Sequence, residues 1–251
     1  ELAESLNDML ARLEESFKRL SDFSSDLAHE LRTPVSNLMT QTQVALSKTR
    51  SSAEYREVLE SNCEEFERLS RMISDMLFLA KSENGLIVPG TDSFDLADEV
   101  AALFDFYGAL AEENDVTLRL EGSGQVTGDR LMLRRAIGNL LSNALRYTPP
   151  GGRIVVTVSV VRDSSDAETV HLAVENTGEP IPAEHLSRLF DRFYRVDASR
   201  RNSGDGAGLG LAITRSILRS HGGDIEGRTG EGCNIFEMWI STSIVTPRST
   251  D

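Results

Sequence analysis

Residues 55–80 read YREVLESNCEEFERLSRMISDMLFLA, with Tyr55, Leu59, Asn62, Phe66, Leu69, Ile73, Met76 and Ala80 falling at alternating steps of four and three. That spacing keeps one helix face apolar and makes the seam of a coiled coil or helical bundle. Towards the amino terminus, Thr49-Arg50-Ser51-Ser52 breaks the pattern. Before the break, Leu2, Leu6, Met9, Leu13, Phe17, Leu20, Leu27, Leu31, Val35 and Leu38 form a second seam. Two consecutive steps of four, Met9 to Leu13 to Phe17, shift its phase as a stutter does at a junction between bundles. Two long helices with a short connection predict an antiparallel hairpin. A single hairpin leaves its stripe without a partner, so two copies are expected to pair as a four-helix bundle. The rival reading is a hairpin packed on its own chain's second half.

Towards the carboxyl terminus, Asn84-Gly85 and Pro89-Gly90 mark a linker over 84–93. Beyond it the period changes. Helices are expected over 94–113, 129–147 and 209–220, with Leu133, Ile137, Leu140, Leu141 and Ala144 inward on the second. Short strands are expected over 116–120, 154–161, 170–175, 224–226 and 235–241. That order predicts an α+β two-layer sandwich, helices over one sheet face, from 94 to 246. Residues 247–251 form a frayed tail.

Of the 251 residues, 39% are hydrophobic, so a buried core is within reach. The 26 Lys and Arg against 40 Asp and Glu leave a formal net charge of −14, which argues against bulk nucleic-acid binding. Cys63 and Cys233 lie far apart without metal-ligand spacing, which suits a reducing compartment. No apolar run approaches the ~18 residues of a membrane span. The chain opens at Glu1 in mid-helix pattern and reads as a fragment.

In Phe23-Ser-Ser-Asp-Leu-Ala-His-Glu-Leu-Arg-Thr-Pro34, His29 lies two positions from both Leu27 and Leu31, about 200° around the helix, and should face solvent. Thr33 follows one turn on. The adjacent Glu30 can accept a hydrogen bond from one ring nitrogen, leaving the other nucleophilic. Pro34 removes a backbone donor just past the histidine. This stretch resembles the H box of bacterial sensor histidine kinases. The resemblance implies that His29 is the phospho-acceptor and Glu30 its general base. Thr33 would orient a water in the reverse, phosphatase reaction on a partner protein.

Asn139, Asn143 and Arg146/Tyr147 share a helix face, a pattern able to complete a Mg²⁺ shell, meet a phosphate and stack on a base. Asp205-Gly206-Ala-Gly208-Leu-Gly210-Leu211 then opens a helix, where glycines admit a phosphate to backbone N–H groups. In chain order these pieces resemble the histidine-kinase catalytic domain. The N box is 139–148, the G1 box 174–178, the F box 190–195, the G2 box 206–211, and a weak G3 box 230–235.

The resemblance implies a Bergerat-type ATP-binding fold using ATP and Mg²⁺, with Asn143 on the metal and Tyr147 on the adenine side. Asn139, Asn176, Gly178 and Tyr194 would complete the nucleotide site. Arg146, Arg192 and Arg195 would lie near phosphates. Gly206, Gly208, Leu209, Gly210 and Leu211 would form part of a mobile lid.

Residues 1–20 resemble the last helix of a HAMP linker, and 21–83 a dimerisation and phosphotransfer domain. The whole resembles the cytoplasmic portion of an inner-membrane sensor kinase, most like the copper/silver type. Its implied partners are a second copy and a response-regulator receiver domain docking near Thr40 and Leu77. Two rivals are a non-signalling ATPase of the same fold and a catalytically degenerate dimeric scaffold or phosphatase.

Four residues, at three places, depart from the family pattern. Asn176 replaces the acid that accepts from the adenine amine, which predicts looser binding, tightened by Asn176→Asp. Pro180 replaces a G1 glycine, and Cys233 and Ile235 leave the G3 box without a role. His171, His185, His221, Trp239, Phe236 and Cys63 read as structural.

Overall fold

A computed structural model describes residues 2–162, 168–196 and 207–241. Their packing divides the chain into two compact units, Glu1–Ser74 and Asp75–Asp251.

The first unit is the hairpin. Helix α1 (Leu2–Leu46) runs unbroken through Pro34, and α2 (Ser52–Glu83) continues into the second unit. A reciprocal capping box starts α2: the Ser51 N–H donates to Glu54 Oε2 at 2.8 Å, and the Glu54 N–H donates to Ser51 Oγ at 3.3 Å. These bonds hold the Glu54 carboxyl below its ordinary range. Asn62 is buried in the seam and donates through Nδ2 to Thr42 Oγ1 on α1, 3.3 Å away. The α2 seam splits in two. Asn62 and Leu69 are buried, whereas Leu59 is 63% and Phe66 59% exposed. One hairpin thus covers only half of the apolar pattern that its sequence carries.

The second unit holds β1 (Asp92–Asp95), α3 (Leu96–Glu113), β2 (Thr117–Gly122), β3 (Gln125–Gly128) and α4 (Arg130–Tyr147). After these come β4 (Arg153–Arg162), β5 (Glu168–Thr177), α5 (Ala183–Leu186), α6 (Gly210–Ser220), β6 (Asp224–Gly230) and β7 (Cys233–Ser241). Five strands form one sheet in the order β2-β4-β5-β7-β6, parallel only between β2 and β4. Alternate residues such as Val170, Leu172 and Val174 of β5, and Phe236, Met238 and Ile240 of β7, are buried. Leu133, Ile137, Leu140 and Leu141 of α4, with Ile213 and Ile217 of α6, complete the core. This is the two-layer α+β arrangement expected.

The small β1–β3 ribbon was not expected, and it takes Phe94 from the helix proposed to start there. Asp95 then caps α3, accepting from the Ala97 N–H at 2.8 Å and the Gly124 N–H at 3.1 Å. Asp129 caps α4 through the Met132 N–H at 3.0 Å, and this bond holds its carboxyl below the usual range.

His221, at the end of α6, ties the two helices together. Its Nδ1 lies 2.8 Å from the Ile217 carbonyl, which can only accept, so Nδ1 carries the proton and Nε2 accepts the Asp129 N–H at 3.0 Å. Burial holds this ring below its ordinary pKa. Gly128 makes room for it, since a Cβ there would stand 2.6 Å from His221 Cδ2.

Candidate functional site

In the hairpin, His29 and Thr33 are exposed while Leu27, Glu30 and Leu31 are half-buried. Two leucines turned partly inward hold the imidazole outward, as their spacing predicts. No hydrogen bond joins Glu30 to His29 among the described residues; successive helix positions diverge by about 100°, so the contact requires side-chain rotation.

In the second unit, four remote segments are tied to one another. Asn139 of α4 donates through Nδ2 to the Gly210 carbonyl at 3.0 Å, joining α4 to the start of α6. Thr214, fully buried, donates to the same carbonyl at 3.0 Å and lies 3.4 Å from the Ala136 carbonyl. Gly178 closes the end of β5 against α4, since a Cβ there would meet the Tyr147 carbonyl oxygen at 2.8 Å. The Phe193 N–H donates to the Gly208 carbonyl at 2.9 Å. Gly208 has φ +72°, and its Cβ would press on the Phe193 backbone at 2.8 Å, so only glycine fits that turn.

The start of α6 is suited to an anion. Leu209 occupies the N-cap without a side-chain cap bond, so the first N–H groups of this 11-residue helix have no side-chain partner at the cap. Asn143 is half-buried and Tyr147 and Arg146 are exposed on α4. Arg192 is paired with Glu83, near the end of α2 within the same unit. Tyr194 is turned towards α5: its hydroxyl lies 2.5 Å from His185 Nδ1, and the Arg188 guanidinium stands 4.4 Å above its ring. Arg195 is half-buried, Leu209 buried and Leu211 half-buried. Gly206 lies outside the described residues. Among the described residues no three His, Cys, Asp or Glu side chains gather into a cation-binding group.

Asn176 is 3% exposed and sits at the inward end of β5, in register with Asn234 of β7. Asn234 accepts the Ile181 N–H at 3.0 Å and donates to the Glu179 carbonyl at 2.9 Å, fixing the loop after β5. Asn234 and Thr214 belong to no motif that the sequence assigns a role. Asn234 was detectable as a polar residue at an inward position of an alternating strand. Thr214 had no comparable signal.

Two family models match the chain: "His Kinase A (phospho-acceptor) domain" over residues 19–85, and "Histidine kinase-, DNA gyrase B-, and HSP90-like ATPase" over 128–243. The sensor histidine kinase CusS of Escherichia coli (strain K12) is 54% identical over 226 residues, 90% of this chain and 46% of that protein. The chain thus spans about half the length of the curated relatives it matches. Among solved structures, Acinetobacter baumannii histidine kinase AdeS superposes with a TM-score of 0.69 at 24% identity, over 86% of this chain and 98% of that one. Histidine kinase ThkA in complex with response regulator protein TrrA gives a TM-score of 0.72 at 21% identity, over 92% and 64%. These two show the fold.

Proposed function

Because the chain belongs to the sensor histidine kinase family, we propose that it transfers the γ-phosphoryl group of ATP to His29 and then to an aspartate of a response-regulator receiver domain. The observation that carries this reading is an exposed histidine on α1, inside the phospho-acceptor domain, in a chain whose second unit ties four nucleotide-box segments around one open helix start.

The second unit's residues fit the nucleotide. The open α6 start and the close-approach glycines suit phosphates, and Asn176 offers an acceptor to a base. Asn143, whose side chain makes no hydrogen bond among the described residues, would hold Mg²⁺ through its amide oxygen. Bound Mg²⁺ supplies charge neutralisation on those phosphates. Arg146, Arg192 and Arg195 would supply further positive charge, and Tyr147 an apolar face. Gly206, Gly208, Leu209, Gly210 and Leu211 would cover the site.

At His29 the free ring nitrogen forms the N–P bond as the γ-phosphorus parts from the bridging oxygen, which leaves with ADP. Glu30 takes the proton from the other ring nitrogen. Thr33 would orient the attacking water when the regulator is dephosphorylated. Incubation with γ-labelled Mg·ATP tests the reading: acid-labile, alkali-stable label is expected on the wild-type chain and none on His29→Gln.

The exposed half of the seam, Leu59 and Phe66, supports pairing with a second copy as a four-helix bundle. Residues 84–93 would serve as the hinge for the 94–246 domain. Residues 1–20 would be the end of a HAMP linker, in the cytoplasmic portion of an inner-membrane protein. No helix among the described residues is long and apolar enough to cross a membrane. Likeness to copper/silver sensor kinases supports a heavy-metal stimulus for the whole protein.

A further inference from the structure

Asp75, Phe78, Ser82 and Glu83 lie along one side of the last turns of α2, and each is met by a side chain from elsewhere in the second unit. Asp75 pairs with Arg135 of α4, whose guanidinium also stands 4.9 Å from the centre of the Phe78 ring. The Ser216 hydroxyl of α6 donates to Ser82 Oγ at 2.6 Å. Glu83 pairs with Arg192. These contacts bridge residues 84–93, so while they hold, the proposed hinge cannot open.

The segment that carries Arg192 is held in a conformation it would not keep alone. Phe193 has φ +60°, a left-handed backbone that a bulky residue keeps only where its surroundings enforce it. Arg192 is drawn to Glu83 on one side, and Tyr194 is fastened to His185 and Arg188 on the other. Arg192 is also among the cations assigned above to the nucleotide's phosphates. The N–H fork that meets a carboxylate is the same fork that would meet a phosphate.

We propose that the end of α2 is a docking ledge for the nucleotide domain, and that Glu83 competes with the nucleotide's phosphates for Arg192, so that docking weakens ATP binding and ATP undocks the domain. This rests on the nucleotide-binding reading above and goes further: it makes the last turns of α2 an inhibitory surface and Glu83 the residue that ATP must displace. The effect is reciprocal, since whatever factor docking takes from ATP affinity, ATP takes from docking. The Glu83 side chain is 49% exposed, so that factor is about threefold.

Two measurements on the full chain test the competition. The first is displacement of a fluorescent ATP analogue, with Mg²⁺ present, by ATP and by adenosine. E83Q keeps the shape and removes the charge. It is expected to bind ATP about threefold more tightly than the wild type, and adenosine, which has no phosphate, equally well. The second places cysteines at the hydroxyl contact, Ser82→Cys with Ser216→Cys, in a chain whose Cys63 and Cys233 are replaced by serine. Diamide is expected to close a disulfide within one chain, read by intact mass after thiol alkylation, and Mg·ATP to slow its closure about threefold. Label on His29 from γ-labelled ATP should be absent from the closed chain and return with dithiothreitol.

Equal ATP affinity in the wild type and E83Q would overturn the proposal, as would disulfide closure indifferent to ATP or labelling of the closed chain. An equal gain for adenosine would also overturn it, by showing that Glu83 acts on the fold and not against phosphates. Failure of ATP to displace the analogue would instead remove the nucleotide-binding reading itself, and this inference with it.

Discussion

In the unit of residues 1–74, His29 stands exposed on a single helix, and the leucines that aim it lie two positions away on either side. In the unit of residues 75–251, Asn139, Asn176, Gly178 and Gly208 are each held by groups distant in sequence: Gly210, Thr148, Tyr147 and Phe193. The first arrangement needs only helical periodicity, and it leaves half its apolar seam uncovered. The second needs a completed sheet and two packed helices before any of its groups is in place. A change in the first unit should therefore alter association or transfer while leaving nucleotide binding alone. A change in the second should propagate through the site.

The largest effect is expected from breaking the open seam. In the proposed four-helix bundle, substituting both Leu59 and Phe66 by Asp would remove apolar burial of about 1.5–3 kcal/mol per side chain and place charge in its stead. Light scattering should show the dimer's Kd rise at least about a hundredfold, with ATP binding by the same variant unchanged. A stable dimer would mean that the seam is covered otherwise. Next comes Gly208→Ala, which must strain a left-handed residue and push on Phe193. Nucleotide affinity, read by calorimetry, is expected to fall at least about tenfold. Retained affinity would show that the turn adapts.

Thr214→Val keeps the shape but deprives the Gly210 carbonyl of its hydroxyl donor. It is expected to cost about 1–3 kcal/mol in urea unfolding, with no effect on association. The smallest effect is acid sensitivity through His221. Its folded pKa is depressed, so the unfolded chain takes up the proton first. The stability due to the neutral ring is present above the ordinary imidazole value of about 6.5 and is lost as pH falls below it, by no more than about 1.4 kcal/mol per pH unit. Melting curves at pH 7.5 and 5.5 should show a smaller acid shift for His221→Gln than for the wild-type chain.

The hairpin was legible because its information is local: spacing alone fixes which side of α1 carries His29. The five-strand sheet was legible where aliphatic residues recur at every second position, as at Ile154, Val156 and Val158 of β4 and Val170, Leu172 and Val174 of β5. The β1–β3 ribbon was not, because Asp92-Ser-Phe-Asp95 and Gln125-Val-Thr-Gly128 are four residues each, too short to show an alternation, and pair across the intervening α3 and β2. The glycine turn at 208–210 and the asparagines of α4 were readable as types. Their partners were not, since Thr148, Thr214 and Asn234 contribute through contacts that no spacing rule encodes. Asn176, for instance, donates through Nδ2 to Thr148 Oγ1, whose own proton is spent on the Ala144 carbonyl.

The Asn62–Thr42 contact has a mechanical consequence for the hairpin. Among apolar residues that tolerate several alignments, one buried amide admits a single one. Sliding α2 by a helical turn, about 5.4 Å, would carry its N–H away from the Thr42 hydroxyl and strand it among hydrocarbon. The two helices therefore act as a zip with one keyed tooth. A push delivered along α1 should be passed to α2 as a shared rotation or tilt and not as slippage between them.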